Sequence, residues 1–207
     1  MVCHDDCCGS DFDMRQKDTL VKVLVINAVM FVVIMAAALY ASSTALLSDS
    51  LDNLGDALTY GLSLYAVFHG AGTKAKVALF KGGLIFLAAC LVAMQVAYRL
   101  ANPVLPSYDV MSVASIAALC ANGLCLYLLW QHRHEDINMS SVFECSRNDI
   151  AVNLSVIIAA GGVWFFNAAW PDLVVASLLV ILLLNSSARV IKGAWSEITL
   201  QRVDASA

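Results

Sequence analysis

The chain has 207 residues, of which 60% are hydrophobic and only 14% are charged, and its mean hydropathy is +0.77. A soluble domain of this length cannot bury so much apolar surface, so the composition indicates a protein that crosses a membrane several times. The formal net charge of −4 is small, and the 12 Lys and Arg residues stand at the ends of apolar segments rather than on one face. The expected partner is therefore a lipid bilayer and not nucleic acid.

Six apolar segments are long enough, or nearly so, to cross a hydrocarbon core, which takes about 20 residues in a helix. Short polar or proline-containing breaks separate them, including QHRHEDINM and NAAWPD. The sequence therefore predicts an all-α membrane protein with six transmembrane helices. The predicted segments are 20–40, 45–68, 77–100, 110–130, 141–166 and 173–190.

Basic residues predict the direction in which these segments cross the membrane. Of the 12 Lys and Arg residues, only Arg99 lies near the side that holds the first, third and fifth breaks. Because positively charged segments stay in the cytoplasm, both termini are predicted to be cytoplasmic, in a multi-pass protein of the cell (inner) membrane. The first apolar run has full spanning length and no small-residue cleavage site, so it does not read as a signal peptide. We expect a cytoplasmic tail over 1–18, a transmembrane domain over 19–193 and a short cytoplasmic tail over 194–207.

Aspartates interrupt the second apolar segment, in the stretch LLSDSLDNLGDAL. Asp52 and Asp56 are four residues apart and share one face of a helix. A charge at the centre of a transmembrane helix costs about 2.5–3.5 kcal/mol on insertion scales, and neighbouring carboxylates also repel one another. A divalent cation would cancel that repulsion, whereas protonated or hydrogen-bonded structural aspartates are the alternative. Asp49, Asn53 and Asn153 are candidates for a supporting role or for the access path.

The fifth segment supplies a second pair at the same spacing, Cys145 and Asp149. Two such pairs on packed helices can converge as four ligands around one ion. Oxygen and sulfur ligands in that number suit tetrahedral Zn²⁺ or Cd²⁺, whereas Mg²⁺ or Ca²⁺ prefers six or more oxygens. Taken alone, Cys145 reads as an ordinary buried cysteine, and its spacing from Asp149 favours the role of ligand.

Both motifs resemble those of the cation diffusion facilitator family, the proton-coupled exporters of zinc and related metals. That family carries an HxxxD or DxxxD pair in its second transmembrane helix and an HxxxD pair in its fifth. Asp52 and Asp56 match the first pair, and Asp149 matches the second pair with Cys145 in the place of His. The chain resembles a short form that lacks the cytosolic C-terminal domain of most members. The resemblance implies a homodimer, which would here be held by membrane helices.

The N-terminal stretch MVCHDDCC groups four soft metal ligands within six residues. Cys3, His4, Cys7 and Cys8 are spaced too tightly for a standard zinc finger. They are candidates for capturing cytosolic metal, and the alternative is a disordered tail with chance cysteines.

The function that these patterns predict is secondary transport, in which Zn²⁺ or Cd²⁺ leaves the cytoplasm in exchange for protons. The metal is then the transported substrate, and no cofactor is expected. A membrane-bound metal sensor or chaperone that works through the N-terminal tail is the alternative function. A metal-dependent membrane hydrolase is a third class, and the sequence contains no HExxH motif to support it.

Overall fold

The structure, a computed structural model, describes residues 5–66, 71–130 and 137–204, and within these ranges it has six helices and no strand. The predicted all-α fold is therefore confirmed. Each helix extends beyond its predicted apolar segment at one end or both, and the last one continues through most of the segment 194–207. The helices are α1 (Asp5–Ala41), α2 (Thr44–Ala66), α3 (Ala71–Ala101), α4 (Tyr108–Trp130), α5 (Ile137–Phe166) and α6 (Trp170–Asp204).

Five helices in the described part of the chain, all except α2, are long and apolar enough to cross a membrane. The exception has 23 residues, which is about 34 Å of helix and enough to span. Its aspartates at positions 49, 52 and 56 lower its apolar character. Because α2 packs along α1 and only two residues separate the two helices, it lies within the same membrane-spanning bundle.

Three connections between helices meet at one end of the bundle, which we call the turn end. The N–H of Ser107 donates to the carbonyl of Ala41 at 3.0 Å, which joins the α1–α2 and α3–α4 connections. Asp172, at the start of α6, contacts Ser43, so the α5–α6 connection lies there too. The opposite end, which we call the terminus end, holds the start of α1 and the end of α6.

The tight turn between α1 and α2 is built from two serines. Ser42 adopts a left-handed backbone conformation (φ 54°), and the N–H of Ser43 donates to the carbonyl of Ala38 at 3.1 Å, as in common helix C-terminal caps. The side-chain oxygen of Ser43 then accepts a hydrogen bond from the N–H of Leu46 at 3.1 Å. Ser43 is therefore the N-cap of α2.

Asp172 ties the beginning of α6 to the beginning of α2. Its carboxylate accepts hydrogen bonds from the Ser43 hydroxyl (2.6 Å) and from the N–H groups of Thr44 (2.8 Å) and Ala45 (3.1 Å). The side chain is only 1% exposed. A negative charge at a helix N-terminus satisfies the unpaired N–H groups and opposes the positive end of the helix dipole, so this contact stabilises the turn end.

The neighbouring residue corrects one detail of the sequence prediction. Pro171 was expected in the break NAAWPD, but it lies in the first turn of α6. Proline is tolerated there because the N–H groups of a first helical turn have no acceptor within the helix.

Glycines allow two close approaches in the bundle. A Cβ added to Gly82 on α3 would lie 2.7 Å from Cγ1 of Ile191 on α6, and one added to Gly162 on α5 would lie 2.8 Å from Cβ of Pro171. By contrast, a Cβ added to Gly83 would meet nothing within 4 Å. Small residues at helix contacts let backbones pack closely in membranes, where dispersion contacts hold helices together.

Two apolar clusters close the interior of the bundle. The larger cluster fills the half nearer the turn end and includes Ala45, Leu46 and Met111. The smaller cluster lies nearer the terminus end and includes Val23 and Leu129. Polar side chains of α2 and α5 lie between these clusters, and they form the candidate site.

Candidate metal centre

One stripe of α2 carries polar side chains into the interior of the bundle. Asp49, Asn53, Asp56 and Tyr60 recur at spacings of three and four residues, so they project from one helical face. Their exposed fractions are 2%, 4%, 9% and 0%, respectively. The Tyr60 hydroxyl donates to Oδ2 of Asp56 at 3.5 Å. The helix therefore buries two carboxyl groups in what would otherwise be an apolar core.

Asp52 lies on the neighbouring stripe of α2 and is partly exposed. It lines a small cavity together with Ser48, with Val152 of α5 and with leucines of α6. Four residues advance a helix by slightly more than one turn. The side chains of Asp52 and Asp56 therefore project from α2 in similar but not identical directions.

Asp149 of α5 meets the α2 carboxylates. Its carboxyl group lies within hydrogen-bonding reach of that of Asp56, and it also interacts electrostatically with Asp52 and Asp49. Because a carboxylate has acceptors only, a hydrogen bond between two carboxyl groups requires a proton on one of them. The Asp56–Asp149 pair is thus an arrangement in which either a proton or a metal ion would screen two buried negative charges.

A groove of about 580 Å³ reaches these carboxylates between α2, α5 and α6. Asp52, Asp56 and Asp149 line its wall, and Arg189 lines it nearer the terminus end. The remaining lining is mixed. Apolar side chains predominate toward the turn end, where Ser155 also lies, and polar side chains predominate toward the terminus end. These residues are Asn148, Ala151, Val152, Ser155, Val175, Leu178, Leu179, Leu182, Asn185 and Ser186.

The structure brings together three of the four predicted metal ligands around one groove: Asp52, Asp56 and Asp149. The side chain of Cys145 lies outside the described residues, although its position on α5 is described. Among the side chains that are described, no group of three or more His, Cys, Asp or Glu is close enough to hold a metal ion. A shared ion would therefore draw Asp52 closer to the Asp56–Asp149 pair.

The other predicted residues divide into buried and undescribed groups. Asp49, Asn53 and Asn153 are buried in the interior, and none of them lines the groove. The N-terminal cluster lies outside the residues whose side chains are described. Its members are Cys3, His4, Cys7 and Cys8.

Sequence reasoning missed a polar contribution from α1 and α4. Cys125 interacts electrostatically with Asp149 and Asp56. Its sulfur also accepts a long hydrogen bond (3.9 Å) from Nδ2 of Asn27. Asparagines inside apolar segments, such as Asn27 and Asn122, are the signal that could have indicated these positions. Polar side chains are rarely placed in a membrane span without a function.

A comparison with known protein families matches the model of the cation efflux transmembrane domain to residues 20–199. That match covers most of the chain and all six helices. The protein belongs to the cation efflux family. The same comparison confirms the family resemblance carried by the aspartate motifs. No curated protein matches the sequence.

Membership in this family fixes the general activity. The chain is a multi-pass membrane transporter that carries cations out of the cytoplasm, and the family is one of transporters rather than of enzymes. Its substrate is a metal cation. The buried carboxylates at the groove wall are the candidate site for that cation.

Proposed function

We propose that this cation efflux protein exports Zn²⁺ or Cd²⁺ in exchange for protons at the groove wall. The observation that carries the proposal is the contact between the carboxyl groups of Asp56 and Asp149, which joins the α2 motif to the α5 motif. Two carboxyl groups that share a proton in a low-dielectric interior must lose it when a divalent cation binds. Metal binding and proton release are therefore linked at the same oxygen atoms.

The proposed ligands are Asp52, Asp56, Cys145 and Asp149. Three carboxylates and one thiolate give the four ligands that Zn²⁺ prefers, and a thiolate favours Zn²⁺ or Cd²⁺ over harder ions. The position of Asp52 on the same groove supports its inclusion. Substituting Cys145 by His should shift relative affinity away from Cd²⁺, since imidazole is a harder ligand than thiolate.

The proposed cycle uses the two ends of the bundle in turn. The metal reaches the carboxylates through the groove from the terminus end, which the basic-residue pattern predicts to face the cytoplasm. It displaces the shared proton, and rocking of the helices about the midplane site then opens the turn end. There protons rebind the carboxylates and the metal leaves. A homodimer held by membrane helices belongs to the same proposal.

Metal-driven proton movement in proteoliposomes tests this function. A pH-sensitive dye is enclosed in vesicles that contain the purified protein, and Zn²⁺ is added outside. Because Zn²⁺ entry is exchanged for protons that leave, the lumen should become more alkaline. Asp56→Asn and Asp149→Asn should each abolish both Zn²⁺ flux and the dye response, because each removes a carboxylate from the shared pair. Asp109→Asn is the matched control, since Asp109 is an exposed residue in the first turn of α4. Undiminished Zn²⁺ flux in Asp56→Asn would refute the proposed site.

A further inference from the structure

A cavity of about 60 Å³ lies at the turn end, between the end of α1, the α1–α2 turn and the end of α3. It shares no lining residue with the groove that reaches the carboxylates. A single water molecule needs about 10–15 Å³ of such space, so the cavity has room for about five non-hydrogen atoms, the size of a phosphate group. We call it the turn-end cavity.

Arg99, in the last turn of α3, gives the turn-end cavity its charge. Its Nε atom is buried and has no hydrogen-bond partner. An arginine that extended into water would keep this N–H solvated, so part of the guanidinium group is held inside the protein. Asp172 interacts with Arg99 electrostatically, but its carboxylate accepts its hydrogen bonds from the start of α2. The Nε–H of Arg99 is therefore available to a ligand, since buried donors in folded proteins are rarely left without an acceptor.

The polar side chains around this cavity suit an anion. Arg99 presents N–H groups in a fixed fork, Gln95 carries an amide nitrogen and Ser42 carries a hydroxyl, so all three can donate hydrogen bonds. Within the described part of the chain, no aspartate or glutamate lines the cavity. A metal cation would meet a fixed positive charge there and no carboxylate. Phosphate oxygens, by contrast, match the paired N–H groups of a guanidinium.

The edge of the turn-end cavity lies on the lipid-facing surface. The side chain of Leu39, which lines the cavity, is 70% exposed. Three neighbouring side chains are at least 60% exposed: Tyr40, Tyr98 and Leu100. Leu39 and Arg99 each stand two residues before the end of their helix. Because the ends of spanning helices lie at the level of the lipid headgroups, where tyrosines are enriched, the charge of Arg99 lies at the depth of phospholipid phosphates.

We propose that the turn-end cavity binds the phosphate group of a membrane phospholipid. The phosphate accepts hydrogen bonds from the guanidinium of Arg99 and from the polar side chains beside it, and an acyl chain lies along the exposed surface at Leu39. A free phosphate ion has the same headgroup chemistry but makes no use of this apolar edge. The bound lipid joins α3 to the α1–α2 turn and so stabilises the turn end. The site is independent of the proposed exchange of metal for protons.

Lipid titration of the full chain, purified in a maltoside detergent, tests this site. Three probes separate the possible sources of binding: a short-chain phosphatidylglycerol, a diacylglycerol with the same chains but no phosphate, and inorganic phosphate. Native mass spectrometry measures the bound lipid and its dissociation constant, and thermal unfolding measures the stabilisation. Arg99→Gln removes the proposed phosphate contact. Lys192→Gln is the matched control, since it removes one positive charge from an exposed residue of α6 nearer the terminus end.

We expect the wild type to bind the phosphatidylglycerol and to unfold at a higher temperature in its presence. Arg99→Gln should weaken this binding about tenfold, because it removes a charge-assisted hydrogen bond, whereas Lys192→Gln should stay within about twofold of the wild type. Arg99→Lys should be intermediate, since it keeps the charge but loses the planar fork. Gln95→Met is a second variant that leaves Arg99 in place and removes one donor at similar volume, and it should weaken binding about threefold.

Three results would overturn the inference. If Arg99→Gln binds the phospholipid as tightly as Lys192→Gln does, Arg99 does not hold the phosphate. If the diacylglycerol binds as tightly as the phosphatidylglycerol, the contact is with the apolar edge alone. If inorganic phosphate stabilises the protein and the phospholipid does not, the cavity binds a free anion and not a lipid. None of these results depends on whether the protein exchanges Zn²⁺ for protons, so the proposed function is tested separately.

Discussion

Asp172 is a single buried carboxylate that caps the start of α2 at the turn end. It accepts hydrogen bonds from one hydroxyl and two backbone N–H groups, and all three donors lie at the start of α2. Without it, the N–H groups of Thr44 and Ala45 would lack an acceptor in a region with little water. Since α2 carries Asp49, Asp52 and Asp56, Asp172 also fixes the depth at which these aspartates lie.

We expect Asp172→Ala to reduce the free energy of unfolding by about 2–4 kcal/mol, because it leaves buried donors unpaired and removes a helix cap. Unfolding in mixed micelles, followed by circular dichroism, measures this change. Asp109→Ala is the control, since its exposed carboxylate interacts only with the dipole of α4 and should cost less than about 1 kcal/mol. Equal stability of the two variants would show that the Asp172 contacts do not hold the turn end.

At the same scale, the sequence predicted the site in part. Spacing along one helix was sufficient to pair Asp52 with Asp56, because i and i+4 positions always lie near each other. It could not rank Asp52 against Asp49, which occupies the more buried stripe of α2. Nor could it predict Asp172, because a contact between residues 129 apart depends on the packing of α2 against α6.

At the scale of helices, apolar segment length predicted where all six lie, and their ends were set by local caps. The left-handed Ser42 and the N-cap Ser43 define the boundary between α1 and α2, which the sequence placed within a few residues. Apart from the α2–α5 contact that the two paired motifs predict, which helices become neighbours was not predictable, because every helix is largely apolar and amphipathicity gives a weak signal in a membrane. The pairing of α3 with α6 is therefore information that only the structure supplies.

The packing of α3 against α6 predicts that substitutions at two adjacent glycines, Gly82 and Gly83, have different effects on stability. Gly82→Val should destabilise the protein by about 1–3 kcal/mol, because its side chain would overlap Ile191 on α6. Gly83→Val is the control, since the space around its Cβ is open. Thermal unfolding in detergent should show a lower midpoint for the first variant alone. If both variants lower the midpoint equally, α6 does not pack closely against α3 at Gly82.

At the scale of the whole molecule, the groove lies between α2, α5 and α6, and Asp56 and Asp149 line its wall. Buried polar side chains that do not line the groove lie on α1, α2, α4 and α5, such as Asn27, Asn122 and Asn153. Helices α2 and α5 therefore contribute both to the groove and to this buried polar interior. A rocking motion that moves α6 relative to α2 would change the groove while leaving the packing of the other helices intact.

The direction of transport depends on which side of the membrane the groove faces. Polar groove residues such as Asn185 lie toward the terminus end, which the positive-inside rule predicts to face the cytoplasm. Asn185→Cys should therefore react with a membrane-impermeant thiol reagent in inside-out vesicles and not in intact cells. Asn102→Cys, an exposed residue at the turn end, should show the opposite pattern. The unsubstituted chain, with its seven cysteines, supplies the background in both preparations.

Labelling of Asn185→Cys from the outer side would show that the terminus end faces away from the cytoplasm. The groove would then have the opposite role in transport. Because metal export begins with capture of a cytoplasmic ion, a groove that opens outward in the metal-free protein would serve release rather than capture. The shared proton on Asp56 and Asp149 would then be the one that displaces the metal, and the protein would rest in its outward-facing state. Labelling of Asn185→Cys from the cytoplasm instead identifies the described conformation as the one that accepts the ion.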